Sequence, residues 1–317
     1  MGGPTPTLTG HAVAGAVAGG CAVVAATSAA ASALAYPNSP VAGALVRALA
    51  DCAAVIALGL AAVPLLESNR YRADLSRRAA GPLALAAAVW LLAEVVRLTV
   101  DAAQTAGIGF WQIGVHTLAD FGLYTTAGRS GLVGIAAALV VAAVAVLAPR
   151  SATTTAAALG AAAVGMAART LAGHLSESPI GGMAVAVHAL AAAVWCGVLA
   201  ALVLTVTHRG QWARVLPRFS QLSLACVGVL LVAGVAGAVI RLNSPAELWT
   251  TGYGRVLAAK VVVTAILLVL AWRNRSNWLP AARAHRSSAS LSQNRSLVEL
   301  TIMAVAVTLA AALAVTG

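Results

Sequence analysis

Hydrophobic residues fall along this chain in nine long runs separated by short polar stretches. Each run is about 20 residues long or longer, which is the length that a helix needs to cross a hydrocarbon layer of about 30 Å. Backbone groups in lipid must be bonded within their own segment, and the runs lack strict alternation, so the pattern predicts helices and excludes barrel strands. The runs cover residues 11–35, 41–66, 82–104, 130–149, 152–173, 183–207, 220–242, 254–272 and 296–316.

The predicted fold is therefore an all-α, polytopic transmembrane bundle of about nine helices. Composition agrees, because 61% of the 317 residues are hydrophobic and 9% are charged, a balance that a single water-exposed domain could not hide in its core. We divide the chain into a four-helix membrane region, residues 1–149, and a five-helix membrane domain, residues 150–317. Neither an internal repeat nor a soluble domain is evident.

The basic residues indicate how the bundle is oriented. Thirteen of the 20 Lys and Arg residues lie in the stretches 69–78, 208–218 and 273–295 or at Arg150, all on one side when nine spans are threaded. The positive-inside rule places that side in the cytoplasm. The N-terminus is then cytoplasmic, and the C-terminus is extracytoplasmic. The chain has more cations than its nine acids, and we interpret this excess as a topology signal. We expect membrane lipid as a partner and no nucleic acid.

The stretch 105–129 differs from the other connections. It is too polar for a span and is rich in the aromatic residues that favour the boundary between lipid and water. We expect an interfacial or re-entrant segment on the outer face.

Ionisable residues inside the predicted spans gather toward the outer side. Such groups are costly in lipid, so each should face a cavity, a partner or a ligand. Spacings of three, four and seven residues put the members of each helix on one face. We expect a common polar cavity, and the alternative is helix-local ion pairs whose charged ends reach the interface. The residues are Arg47, Asp51, Glu94, Arg97, Asp101, Arg169, Arg241 and Lys260.

Two histidines on neighbouring spans are the candidates for metal binding. A short loop joins the fifth and sixth spans, so His174 at one helix end can approach His188 near the start of the next. Imidazole nitrogen and the thioether of Met183 suit copper, and sulfur favours the cuprous ion. The alternatives are an interfacial His174 with a packed His188 bonded to a backbone carbonyl, or a haem b held by two imidazoles.

The second half of the chain resembles the CopD family of bacterial inner-membrane copper-resistance proteins. The resemblance rests on Gly173-His174, the stretch from His188 to Trp195-Cys-Gly197, Arg218-Phe219-Ser220, Gly234, Thr251-Gly-Tyr-Gly254-Arg255 with Lys260, Asn274-Arg275 and Glu299. It implies copper handling at the bacterial cytoplasmic membrane, with His174 and His188 at the metal and Trp195 deeper on the same helix face. The first half resembles the N-terminal part of longer actinobacterial proteins that join a CopD-like part to a CtaG-like part, the latter linked to cytochrome c oxidase assembly. A chain ending at Gly317, just after a span, fits a piece of such a fusion.

We expect import or delivery of copper from the extracytoplasmic side, with a periplasmic copper carrier or cytochrome oxidase assembly components as partners. The alternatives are a haem-binding or redox subunit and a structural partner in a respiratory complex. Five intramembrane cations against three acids would favour an anionic ligand such as haem propionates, a lipid headgroup or a metal with an anionic carrier. No nucleophile elbow, HExxH motif or P-loop is present, so we expect no enzyme.

Overall fold

The computed structural model describes residues 10–36, 41–148, 151–171, 179–241, 244–280 and 288–316, and these residues form a helix bundle. The predicted all-α fold is confirmed, and every one of the nine predicted runs coincides with a helix. The helices are α1 Gly10–Leu34, α2 Val41–Ala62, α3 Asn69–Ala106, α4 Val115–Tyr124, α5 Thr126–Leu147, α6 Ala152–Leu171, α7 Pro179–Thr205, α8 Arg209–Arg241, α9 Glu247–Thr250, α10 Gly252–Arg273 and α11 Ala289–Thr316. Shorter helical turns cover Val63–Leu66, Phe110–Gln112 and Asn274–Trp278.

Within these described ranges, seven helices are long and apolar enough to cross a membrane, namely α2, α3, α5, α7, α8, α10 and α11. In α1 the apolar stretch Ala18–Leu34 is shorter. α6 is 20 residues long and begins with three threonines, and it is not among the seven. The chain is therefore a multi-pass membrane protein, and the two remaining predicted spans coincide with α1, which is 25 residues long, and with α6.

Two helices are longer than their apolar runs predicted. α3 begins at Asn69 where the run begins at 82, and α8 begins at Arg209 where the run begins at 220. Both added segments are basic. A proline lies directly after the first segment, Pro82, and within the second, Pro217, and neither proline ends its helix. At 1.5 Å per residue the 38 residues of α3 span about 57 Å, so the helix must extend beyond the hydrocarbon layer.

The segment predicted to be interfacial, residues 105–129, folds into short helical pieces instead of a span. α3 ends at Gly107, whose φ of 65° is favourable for glycine, and α4 follows a 3-10 turn. Phe121 is buried, whereas Trp111 is 93% exposed and Tyr124 is 79% exposed. Aromatic side chains that are exposed beside the ends of apolar helices fit a position at the membrane surface.

The same succession of elements occurs twice, in residues 41–171 (the first half) and 179–316 (the second half). Each half has a span, a long span with an internal proline, a short helix, a span beginning after a threonine and a last long helix. Thr125 accepts a hydrogen bond from the Gly128 amide at 2.8 Å, and Thr251 accepts one from the Gly254 amide at 2.9 Å. An arginine follows the glycine in both halves. The structure thus corrects the expectation that the chain holds no repeat.

The halves meet where α2 packs against α7. Gly59 is the nineteenth residue of α2 and Gly197 is the nineteenth residue of α7. Their backbones touch, because a Cβ built at Gly59 would overlap the Gly197 backbone and one built at Gly197 would overlap Val55 and Gly59. α6 packs on α7 and α11 packs on α2, so the last helix of each half packs on the first helix of the other half.

The halves differ in how tightly their long spans are held. α3 packs along both α2 and α5, whereas its counterpart α8 packs on α7 and scarcely touches α10. Only 6% of the apolar window of α8 is buried, against 33% for α3. The second half is therefore more open on the α8–α10 side than the first half is between α3 and α5.

Candidate functional site

The buried carboxylate of Glu94 is the centre of an ion network in the first half. The Glu94 side chain is fully buried and accepts hydrogen bonds from Trp90 Nε1 at 2.9 Å and Arg97 Nε at 3.0 Å. Arg169 of α6 also forms an ion pair with Glu94 and donates to Asp51 of α2 at 2.6 Å. The carboxylate thereby joins residues from three helices.

The network continues along α3 to Asp101, which accepts a hydrogen bond from Arg97 Nη1 at 2.8 Å. Arg97 and Arg169 are 6% and 5% exposed, so their charges require these partners. Arg47, one turn before Asp51 on α2, lies within electrostatic range of the same charges. The three arginines face three acids, so this region is formally balanced and differs from the cationic cavity that the sequence suggested.

Small residues on the neighbouring helices make room for the network. A methyl group at Gly134 of α5 would lie 3.1 Å from the Glu94 carboxyl carbon, and one at Gly165 of α6 would lie 3.0 Å from the Trp90 ring. α5 and α6 can therefore approach α3 only because these positions lack side chains. The network is packed into the first half as a clamp between α2, α3 and α6.

Some donors of the network remain without an acceptor among the described residues. These buried atoms are Arg47 Nε, Arg97 Nη2 and Arg169 Nε. Buried unpaired N–H groups are costly, and water is a common partner for them.

His188 occupies a different position, in the second half between α7 and α8. Its Nδ1 lies 3.0 Å from the backbone oxygen of Leu230, and a methyl group at Gly234 would lie 3.2 Å from its Cε1. Gly234 thus lets α8 approach the imidazole. Lys260 of α10 acts electrostatically on the same ring. Neither residue forms an ion pair or a hydrogen bond with the Glu94 network in the described part of the chain.

The other predicted site residues are distributed as follows. Trp195 is buried on α7, and its Nε1 has no acceptor among the described residues. Met183 is 65% exposed near the start of α7. His174 and the side chain of Arg241 lie outside the described residues. The structure therefore brings six of the predicted polar residues together in the first half and places His188 with Lys260 in the second.

No group of three or more His, Cys, Asp or Glu side chains that could hold a metal ion occurs within the described ranges. The pair His174 and His188 predicted from the sequence is not covered by that search, because His174 is outside these ranges. The assignment of His174, His188 and Met183 to a metal stays a prediction.

Sequence reasoning missed two features of the polar interior. Trp90 lies one turn before Glu94, and the spacing of four residues was the available signal for their bond. At the predicted cytoplasmic side, Glu67 forms an ion pair with Arg214 at 2.8 Å, and the guanidinium carbon lies 4.2 Å from the centre of the Tyr71 ring. That cluster ties the end of α2 to α8.

Comparisons with known proteins place copper in the description of each match. Residues 38–182 match the family model described as Copper resistance protein D-like, N-terminal domain, and residues 213–315 match the one described as Copper resistance protein D. The copper transport protein CutJ of Bacillus subtilis (strain 168) is 31% identical over 113 residues, which cover 32% of this chain and 21% of that relative. The match thus spans about a fifth of the relative's length. No solved structure matches.

Proposed function

The chain belongs to the CopD family of copper-resistance membrane proteins, and on that premise we propose that it takes up copper from the extracytoplasmic side. Copper handling in a membrane is what the family and the CutJ relative share. The finer proposal is that Cu(I) enters the second half at its predicted outer end and is bound by His188 of α7.

The hydrogen bond of His188 is the observation that carries this proposal. A backbone carbonyl can only accept, so Nδ1 must donate its proton to Leu230. In the neutral ring, Nε2 then carries the free lone pair. Ligand histidines in metal sites are usually held in this way, with the other nitrogen donating to a carbonyl or carboxylate. A histidine that only packs makes the same bond, and the amount of copper bound by His188→Ala separates the two roles.

Met183 suits an earlier step of the same path. It lies five positions before His188, which corresponds to about 140° around the helix, so the two side chains lie on different faces of α7. An exposed thioether nearer the helix start can collect Cu(I) before His174 and His188 bind it. We propose this order, from the membrane surface inward.

Copper retention by purified protein tests the site. We expect His188→Ala and His174→Ala each to lower the Cu(I) retained after desalting by at least about tenfold, since loss of one of two strong ligands leaves a weak site. Met183→Leu should slow loading with a smaller effect on the amount bound. His208→Ala, at the predicted cytoplasmic side just before α8, is the matched control. Equal copper in all four variants and the unsubstituted protein would remove the assignment.

Direction is tested with vesicles of opposite orientation. Proteoliposomes or membrane vesicles in which residues 208–218 are exposed outside should accumulate copper slowly, and those of the opposite orientation should accumulate it rapidly. A protease that cleaves at the basic segment reports orientation in each preparation. We propose a periplasmic copper carrier as donor and cytochrome oxidase assembly components as recipients. Cross-linking in intact membranes would identify them.

A haem-binding subunit is the second candidate, because Lys260 lies near His188 and could pair with a propionate. An optical spectrum separates the two functions. If the protein binds copper, protein produced with ample haem should show no Soret band. A Soret band that His188→Ala abolishes would mean that the protein binds haem in place of copper.

A further inference from the structure

Lys260 is the only lysine of the 317 residues, and the other 19 basic side chains are arginines. It lies in the ninth position of α10, inside a helix that is long and apolar enough to span the membrane. A charged group at such a depth needs a partner or a ligand. A compact ammonium can compensate one negative charge without the fork geometry that an arginine imposes.

The repeat shows which way Lys260 faces. When Thr125 is matched to Thr251 and Gly128 to Gly254, the counterpart of Lys260 in the first half is Gly134. Gly134 faces the buried Glu94 of α3. Lys260 accordingly faces the space between α10 and α8, and α8 is the helix whose Leu230 backbone oxygen accepts the hydrogen bond of His188.

The charge of Lys260 lacks the compensation that the first half supplies. Residues 179–317 contain two acids, Glu247 and Glu299. Glu247 begins the short α9, and Glu299 accepts a hydrogen bond from Asn274 at 2.7 Å, near the opposite end of α10. No ion pair with Lys260 occurs among the described residues. A protonated Lys260 therefore needs a compensating negative charge from outside these residues.

The helices α8 and α10 on either side of Lys260 are loosely packed against each other. α8 scarcely touches α10, although the equivalent α3 packs along α5. The first half fills that space with the Glu94 network, and the second half leaves it to His188, Lys260 and the small Gly234.

We propose that His188 and Lys260 form one site between α7, α8 and α10 that takes copper as an anionic Cu(I) complex. The proposal rests on the copper function proposed above. His188 Nε2 adds to the metal as a further ligand, no ligand leaves, and the copper stays cuprous. The complex keeps its single negative charge, and the ammonium of Lys260 neutralises that charge. A bare cuprous ion would instead meet a second cation in a medium of low dielectric.

The test compares two copper donors of opposite charge. Purified protein in detergent is incubated with Cu(I) as the dichloride complex, an anion, or as the tetrakis(acetonitrile) complex, a cation, and retained copper is measured after desalting. We expect the unsubstituted protein and Lys260→Arg to retain copper from the anionic donor. Lys260→Met should retain at least about tenfold less from it, because the complex would lie in a low-dielectric site without its counter-charge. Arg273→Met, which removes an exposed cation from the last turn of the same helix, is the control.

The single lysine also allows a chemical readout. Acetylation by an amine-selective reagent, followed on the peptide that contains Lys260, should be slowed by the anionic complex and not by acetonitrile-bound copper. Protection should persist in Arg273→Met. It should weaken in His188→Ala, where the metal has lost its ligand.

The outcomes separate this inference from the function on which it rests. If the unsubstituted protein retains no copper from either donor, the copper site itself is wrong. If it retains copper from both, and Lys260→Met retains as much of the anionic complex as the unsubstituted protein, the site stands and the anionic cargo is overturned. If Lys260→Met matches the unsubstituted protein and Lys260→Arg loses binding, the lysine is neutral and the proposal is likewise overturned.

Discussion

The two halves of this protein have the same order of helices, but they differ in how their buried charges are compensated. The first half surrounds Glu94 with Trp90, Arg97 and Arg169, so its buried charges satisfy one another. The second half holds one lysine and one histidine beside a loosely packed helix, α8. In the same architecture, a closed ion network stabilises the first half, and an uncompensated cation allows the second half to bind a ligand.

Because the charged residues are divided between the two halves, they do not line one common cavity. Counted together, the intramembrane cations outnumber the acids and repel a copper ion. Counted by half, Arg47, Arg97 and Arg169 are matched by Asp51, Glu94 and Asp101, and Lys260 is the described cation beside His188 in the second half. The comparison predicts that damage to the first half lowers stability, whereas damage to the second half lowers binding.

The largest effect is expected from Glu94→Ala. It leaves Arg97 and Arg169 as buried charges without their shared partner, which should lower the free energy of unfolding by about 3–5 kcal/mol. Unfolding in mixed micelles with added SDS measures this. Asp74→Ala, which removes exposed ion pairs with Arg77 and Arg78, should cost about 0–1 kcal/mol. Equal losses of stability in the two variants would contradict a clamp at Glu94. Glu94→Ala protein that stays folded should keep its bound copper.

A smaller effect is expected where the halves touch. Gly59→Ala or Gly197→Ala puts a methyl group into the backbone of the other helix, and such overpacking costs about 1–3 kcal/mol. Gly160→Ala in α6 has open space and should gain about 0.5–1 kcal/mol from better helix propensity. Thermal unfolding of the three variants checks the order. A harmless alanine at Gly59 would mean that α2 and α7 are farther apart than described.

The smallest effect concerns two arginines in equivalent positions. Arg255 donates to the backbone oxygens of Leu34 at 2.8 Å and Tyr36 at 3.0 Å, so it holds the end of α1, whereas Arg129 is exposed. Arg255→Ala should cost about 1 kcal/mol, the usual net value of a hydrogen bond. Arg129→Ala should leave stability unchanged. Proteolysis near the end of α1 would report the difference, and equal cleavage in both variants would contradict the anchoring role.

The presence of the helices could be predicted from the sequence, because the length of an apolar run is enough to predict a membrane helix. Apolar length did not predict the start of α3. Residues 69–81 have good helix propensity but are polar, and an apolar run covers only the part of a helix that lies in lipid. Spacing also identified Glu94, Arg97 and Asp101 as one face. The bond from Arg169 to Glu94 joins residues 75 positions apart, and no local pattern encodes that distance.

The repeat escaped detection because few of its residues are shared. An alanine-rich chain makes its helices look alike everywhere, so weak similarity between halves carries no information. What is common is the order of elements, the Thr-x-x-Gly-Arg start of α5 and α10, and the glycines at equal depth in α2 and α7. These are visible only when the contacts assign each helix its neighbours.

The contact of Gly59 with Gly197 has a mechanical consequence. With no side chain between the two backbones, neither helix can move closer, and the halves can only roll or tilt about this point. It acts as a fulcrum. Any rocking of one half against the other would turn about this contact, and α8 and α10, which both belong to the second half, would move together.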